Sequence, residues 1–378
     1  MMPSVRRSTA MPTRRTALSL IAGTGATLAL GAPAALARSV AGPRPFGRYG
    51  SPARRHDPRT LYVDAHGRGD HTDVQSAVDA ATGTGRTIVI AAGVHRATVV
   101  VGAAHRDLTL IGASADARDT VLVYGNAAGT PRPDGTGTLG TSGSASVTIG
   151  AEGFTARDLT FANDWLRSDN PEYTGTQAVA VKVQGDRSAF HCCRFLGHQD
   201  TLYADSPSLD VFARQYYRDC YVEGDVDFVF GRASAVYDRC HFRGLVRPDL
   251  AAAPHGFVFA PSTAGAGPHG FLVLRSRVSS TAPDGYYKLA RPWVPSSAPT
   301  ARPMLTVRES RLGAGIDASA PYATMSAGHP WQEQRFAEHR NTGPGARITV
   351  PANRPQLSAS EARAHTPARW LGDWRPLG

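Results

Sequence analysis

Two short strings carry acidic residues inside apolar, strand-like runs: Gln199-Asp200-Thr201-Leu202-Tyr203 and Gly224-Asp225-Val226-Asp227-Phe228-Val229-Phe230-Gly231. An ionised carboxylate in such a setting is costly unless it is paired or hydrogen-bonded. Asp200 and Asp227 lie 27 residues apart, the interval that also separates Cys193 from Cys220. If that interval is one structural repeat, the two carboxyls are neighbours. Two close carboxyls do not both ionise easily, so one titrates high and the other low. Identical side chains then supply one acid and one nucleophile or base. Arg291-Pro292-Trp293 offers a cation to bias the pair. Asp225 shares a face with Asp227 by strand alternation and is expected in a turn or at a rim. His198, next to Gln199, is expected in a structural or rim role.

The elements that must position these groups follow from the repeat. Cys193-Arg194-Phe195-Leu196-Gly197, Cys220-Tyr221-Val222-Glu223-Gly224 and Cys240-His241-Phe242-Arg243-Gly244 are one pattern. Echoes occur at Asp158–Phe161, Ser276–Val278 and Ser310–Gly313. A period near ~20–30 residues built of short strands and turns is the mark of a solenoid. Strand-like runs recur at Thr87–Ala91, Leu108–Ile111, Val121–Tyr124, Ser146–Ile149, Ala178–Val183, Phe257–Phe259 and Phe271–Leu274. Crossover helices are missing between them, which favours a parallel β-helix over a doubly wound α/β sheet. Its coils stack about 4.8 Å apart, which brings Asp200 onto Asp227. One helical spacing covers Thr72–Ala80, with Thr72 as N-cap and Val74, Ala77 and Val78 on one face. Another, around Ser358–Arg369, is expected to cap the solenoid. The four cysteines, Cys192, Cys193, Cys220 and Cys240, are expected as a buried stack of mostly free thiols, because a ladder of equivalent positions does not offer converging metal ligands.

Composition narrows the function. The chain has 378 residues and a formal charge of +10, carried almost entirely by arginine. Arg6, Arg7, Arg14 and Arg15 fall within residues 1–37, which read as a twin-arginine export signal: Thr13–Leu18, an apolar stretch from Leu18 to Leu30, then Ala35-Leu36-Ala37. Residues 38–58 are a flexible leader and 59–378 the folded domain. The mature chain is expected to begin near Arg38 and to be secreted and monomeric, with no membrane attachment after signal removal. Its modest basic excess lacks a basic run, which suits an acidic polymer and not a nucleic acid. The Gly-x-Gly-x-x-Gly string at 135–140 follows no strand and opens no helix, so no dinucleotide is expected. Neither Gly-x-Ser-x-Gly nor His-Glu-x-x-His is present. No metal and no cofactor are expected.

From about Leu61 to Pro376 the chain resembles the pectin methylesterases, or pectinesterases. The resemblance is carried by Gln177–Val181, by the two aspartate strings, by Leu289-Ala290-Arg291-Pro292-Trp293, and by the closing segments Ala337–Ala346 and Trp370–Trp374. It implies an all-β, right-handed parallel β-helix, a single-stranded solenoid with short capping helices. The implied substrate is methyl-esterified homogalacturonan. Asp227 is implied as the nucleophile and Asp200 as the acid and base. Gln177 and Gln199 are implied as oxyanion donors, and Arg291 as the partner that keeps Asp227 ionised. Tyr203, Phe230, Trp293 and Val226 are the expected substrate contacts. Two departures stand out. Gly93–Ala97 lacks the Tyr and Glu usual there. The Asp200–Asp227 interval is about six residues longer than in plant relatives, with the extra length expected to loop out at 204–210. A lyase would want calcium ligands and a basic proton acceptor. An inverting glycosidase needs carboxyls about 6.5–9.5 Å apart, more than one coil spacing. A silent polyuronate-binding protein would not need Asp200, Asp227, Arg291 and both glutamines intact.

Overall fold

The computed structural model describes residues 57–376; the expected export signal and most of the leader lie outside them. Runs rich in Val, Ile, Leu and Phe form strands of two to six residues, gathered into parallel sheets of ten, seven and eight strands. Successive coils each add a strand to a sheet. In the seven-stranded sheet Val181–Val183 pairs with Leu202–Ala204, which pairs with Val229–Gly231, which pairs with Gly256–Pro261. Long, near-in-register stacking of this kind is a parallel β-helix. Equivalent side chains land on one another inside it. Phe190, Tyr217 and Tyr237 stack face to face, with centroids 4.9 and 4.8 Å apart.

The expected cysteine ladder is present and longer than its name. Cys193, Cys220 and Cys240 are buried free thiols, while Cys192 is exposed and free. The stack continues as Ser276, Ser310 and Asn341. Ser276 Oγ accepts from the Cys240 N–H, Ser310 Oγ from the Ser276 N–H and Asn341 Oδ1 from the Ser310 N–H. Each of these residues follows one held in the left-handed region: Cys192, Asp219, Arg239, Arg275, Glu309 and Arg340, with φ from 48 to 55°. The repeat legible in the sequence is therefore one corner, turned once per coil between the ten-stranded and eight-stranded sheets.

Helical segments differ in detail from expectation. The first spans Val74–Ala80, and its N-cap is Asp73 and not Thr72, because the Asp73 carboxylate accepts from the Ser76 N–H. It buries Val74, Ala77 and Val78 against the first coils. The C-terminal segment forms two short helices, Ala359–Ala362 and Pro367–Leu371. The second does not cap the end of the solenoid. Trp370 and Leu371 instead cover an apolar patch on the ten-stranded sheet formed by Tyr216, Val236, Leu272, Leu274 and Met304. That patch would otherwise face water, which explains where the helix settles. In the last coil, Arg354 makes a two-point ion pair with Glu338 at 3.0 and 2.7 Å, both about 1% exposed. Tyr322 and Asn341 also donate to Glu338.

Only part of 204–210 leaves the coil. Asp205 and Ser206 are fully buried, and Asp205 holds Arg232 through two bonds of 2.5 and 2.7 Å. Buried charge needs such a partner, so the chain protrudes only after Ser206. No helix among the described residues is long and apolar enough to cross a membrane.

Candidate active site

Asp200 and Asp227 occupy the same place in successive coils. They sit not within strands but in the turns before Leu202–Ala204 and Val229–Gly231, with φ of 66° and 50°. Register between those strands pairs Leu202 with Val229, and the Asp200 N–H donates to the Val226 carbonyl at 3.0 Å. Non-glycine residues in the left-handed region are strained, and such strain persists where the surroundings fix it. Here they do. Thr201 Oγ1 donates to the His198 and Glu223 carbonyls at 3.1 and 2.9 Å. Gly224 leaves the room this turn needs, since a Cβ there would lie 2.3 Å from Phe228 Cβ, 2.4 Å from the His198 carbonyl oxygen and 2.6 Å from Thr201 Oγ1.

Arg291 comes from the segment after strand Tyr287–Ala290 and meets Asp227 as a fork. Its Nε and Nη2 donate to the two carboxylate oxygens at 2.8 and 2.6 Å. The guanidinium also lies over the Phe257 ring, 3.8 Å from its centroid. Asp200 and Asp227 are 8% and 7% exposed. Burial, and then the charge of Asp227, push the Asp200 carboxyl well above the usual range, with Arg291 opposing. Burial also raises Asp227, and the Arg291 fork only partly offsets it. Both carboxyls are thus raised, Asp200 further, and Arg291 is the group that favours the charged form of Asp227.

Gln199 adjoins Asp200 in the same turn, and Gln177 lies one coil earlier, where the Ala178 N–H donates to the Gln199 carbonyl at 3.0 Å. Gln199 Oε1 accepts the Thr176 hydroxyl at 2.7 Å, which leaves its NH2 end as the free donor. Gln177 is half-buried and its carbonyl accepts the Ala128 N–H at 2.7 Å. Aromatic residues form one outward stack on the same sheet. Tyr203 and Phe230 lie face to face, centroids 4.1 Å apart, and Trp293 meets both edge-on at 6.1 and 5.5 Å. Tyr203 and Phe230 are 7% and 3% exposed, so most of their faces are spent on each other. Trp293 and Val226 remain partly exposed.

Asp225 lies in the turn that also holds Asp227, as expected, but it is buried and not at a rim. It is 1% exposed, receives the Val226 N–H at 2.7 Å, and faces Arg167 at 3.4 Å and His198 at 3.3 Å. Two residues escaped the sequence reading: Arg167, which comes from a loop with no repeat signal, and Thr176, whose only hint was its place beside Gln177. No group of three or more His, Cys, Asp or Glu side chains suited to a metal occurs among the described residues.

Comparison with known proteins shows the family of the chain. A pectinesterase family model matches residues 60–373. A pectinesterase of Ralstonia solanacearum is 32% identical over 321 residues, covering 75% of this chain and 79% of that protein. The solved pectin methylesterase from Erwinia chrysanthemi superposes with a TM-score of 0.73 at 27% identity, over 84% of this chain and 98% of the other. A pectin methylesterase solved in complex with a hexasaccharide gives a TM-score of 0.73 at 28% identity over the same shares. Matched along nearly all of its described length, the chain belongs to the pectinesterase family of enzymes.

Proposed function

We propose that this protein removes methyl esters from polygalacturonate, converting pectin and water to pectate and methanol, with Asp227 as nucleophile and Asp200 as acid and base. The observation that carries the reading is the Arg291 fork on Asp227 beside a second carboxyl that holds its proton more strongly. Asp227 attacks the ester carbonyl carbon and forms a tetrahedral oxyanion. The amides of Gln177 and Gln199 donate to that oxygen. The intermediate collapses, the methoxy oxygen takes the Asp200 proton, and methanol leaves an acyl-Asp227 anhydride. Asp200, now a carboxylate, removes a proton from water, whose oxygen attacks the galacturonyl carbonyl carbon. Asp227 is released and Asp200 is protonated again.

Trp293 supplies the aromatic face against which a sugar ring packs, with Val226 beside it. Tyr203 and Phe230 support Trp293 from beneath and present mainly their edges to substrate. The acidic polymer meets a chain with a basic balance, and secretion by the twin-arginine route would deliver the enzyme to it.

Methanol release from methylated pectin tests the reading. Wild type should release methanol, Asp227→Asn should release none, and Asp200→Asn should be severely impaired. On an ester with a good leaving group, which needs less acid help, Asp200→Asn should retain part of a pre-steady-state burst that Asp227→Asn lacks. Equal bursts in the two variants would mean that the roles are exchanged or wrong. N-terminal sequencing of secreted protein should find a start near Arg38; a start well upstream of residue 30 would count against export by signal cleavage.

A further inference from the structure

The coil step that stacks Asp200 on Asp227 also stacks His198 on Asp225, two residues earlier in each string. The second pair takes no part in the reaction described above. Its surroundings are charged on several sides. His198 Nδ1 is 3.3 Å from Asp225 Oδ2, and Arg167 Nη1, from the turn Arg167–Asp169, is 3.4 Å from the same oxygen. The Val226 N–H occupies Oδ1 at 2.7 Å. Arg247 feels the Asp225 charge and is itself paired with Asp249. The Tyr287 hydroxyl also lies within range of that charge and donates to the Leu245 carbonyl at 2.6 Å. Asp227 follows two residues later, and the Asp200 N–H donates to the carbonyl of the intervening Val226 at 3.0 Å.

We infer that Asp225 is a positioning residue, a buried fixed charge that helps to set the pH range over which the Asp200–Asp227 pair works, with Arg167 and His198 as its partners; this rests on the roles proposed above for that pair. A carboxylate that accepts from a backbone N–H and faces two basic side chains is built to stay ionised. Burial works against its charge, but His198, Arg167 and the Val226 N–H prevail and hold the carboxyl below its usual value. Its negative charge then adds to the forces raising both Asp227 and Asp200. Removing it should let both members of the pair ionise at lower pH. Arg167, a permanent cation, offsets Asp225 from one side.

The pH dependence of kcat on highly methylated pectin tests this. In Asp225→Asn both limbs should move to lower pH by about half a unit, which makes acid-limb turnover about threefold higher and alkaline-limb turnover about threefold lower relative to each optimum. Arg167→Gln should move the acid limb the opposite way, because it removes a cation and keeps the carboxylate. Both shifts should persist at high salt, since a buried charge is poorly screened. Unmoved limbs in Asp225→Asn, whatever its kcat or melting temperature, would overturn the inference. If Asp225→Asn does not fold, an acid limb in Arg167→Gln that stays put or moves downward would overturn it equally. Asp227→Asn, measured alongside, separates the two failures. Wild-type methanol release by that variant would sink the assignment of the pair, whereas its inactivity with unmoved limbs elsewhere would sink this inference alone.

Discussion

The fork between Arg291 and Asp227 is the contact on which the site depends most directly. Lysine would keep the charge but lose the planar two-point geometry and the stacking over Phe257. Arg291→Lys is therefore expected to lower kcat about 10- to 100-fold while KM changes little; near-normal turnover at saturating pectin would reduce Arg291 to surface steering. Asp200 makes a second, thermodynamic prediction. Its pKa is raised by folding, so between the ordinary carboxylate value and the higher folded value the native state binds more protons than the unfolded state. Stability contributed by the protonated form is complete below the ordinary value and is lost as pH rises through that window. At neutral pH Asp200 is thus a burden on the fold. Asp200→Asn should melt at a higher temperature than wild type near pH 7, and the advantage should vanish near pH 3. A lower melting temperature at pH 7 would contradict the burial argument.

At the scale of elements, the turn that presents Asp227 and the corner that repeats around the solenoid make different demands. Gly224 lies where any side chain would collide with the turn holding Asp200 and with Phe228. Gly224→Ala should cost about 1–3 kcal/mol and should reduce turnover in the folded fraction, because the two aspartate turns must separate. Denaturant unfolding and active-site titration measure the two effects apart. The cysteine corner is a packing device. Its three buried sulfurs face backbone carbonyls such as those of His191, Arg218 and Tyr217. Thiol counting without reductant should find four free groups in denaturant and only Cys192 readily reactive in the native protein. A count of zero in denaturant would show disulfides in place of the stack.

Across the whole molecule, stability rests on coils buried against coils, and its last coil has an unusual centre. The Glu338–Arg354 pair is almost wholly buried and is joined by Tyr322 and Asn341. Removing one partner of such a pair leaves an uncompensated charge in the core. Arg354→Ala should cost about 3–5 kcal/mol, seen as a lower denaturant midpoint with an unchanged kcat for the molecules that remain folded. An unaltered midpoint would mean that the last coil contributes nothing to global stability. The Asp200–Asp227 turns lie several coils away, which is why the effect should be confined to stability.

The fold was largely legible in the chain because a solenoid writes its geometry as a period. The 27-residue interval shared by Asp200–Asp227 and Cys193–Cys220 is a register, and register places side chains without further calculation. For the same reason the strands, the thiol stack and the convergence of the two aspartates could all be read from spacing. What spacing does not encode is which way a loop returns and what lies beside a buried charge. Asp225 was expected in a turn or at a rim, and it does lie in the turn, but strand alternation says nothing of the neighbours that bury it. Arg167, from a loop outside the repeat, reaches it only in three dimensions. The C-terminal helix shows the same limit: a helix near Ser358–Arg369 was expected, but only the assembled sheet presents the patch around Val236 and Leu272 that it covers. Local pattern and period determined the coil, while long-range packing decided how the charges around the site are paired. The energy of a buried charge depends on all of its neighbours, including those distant in sequence.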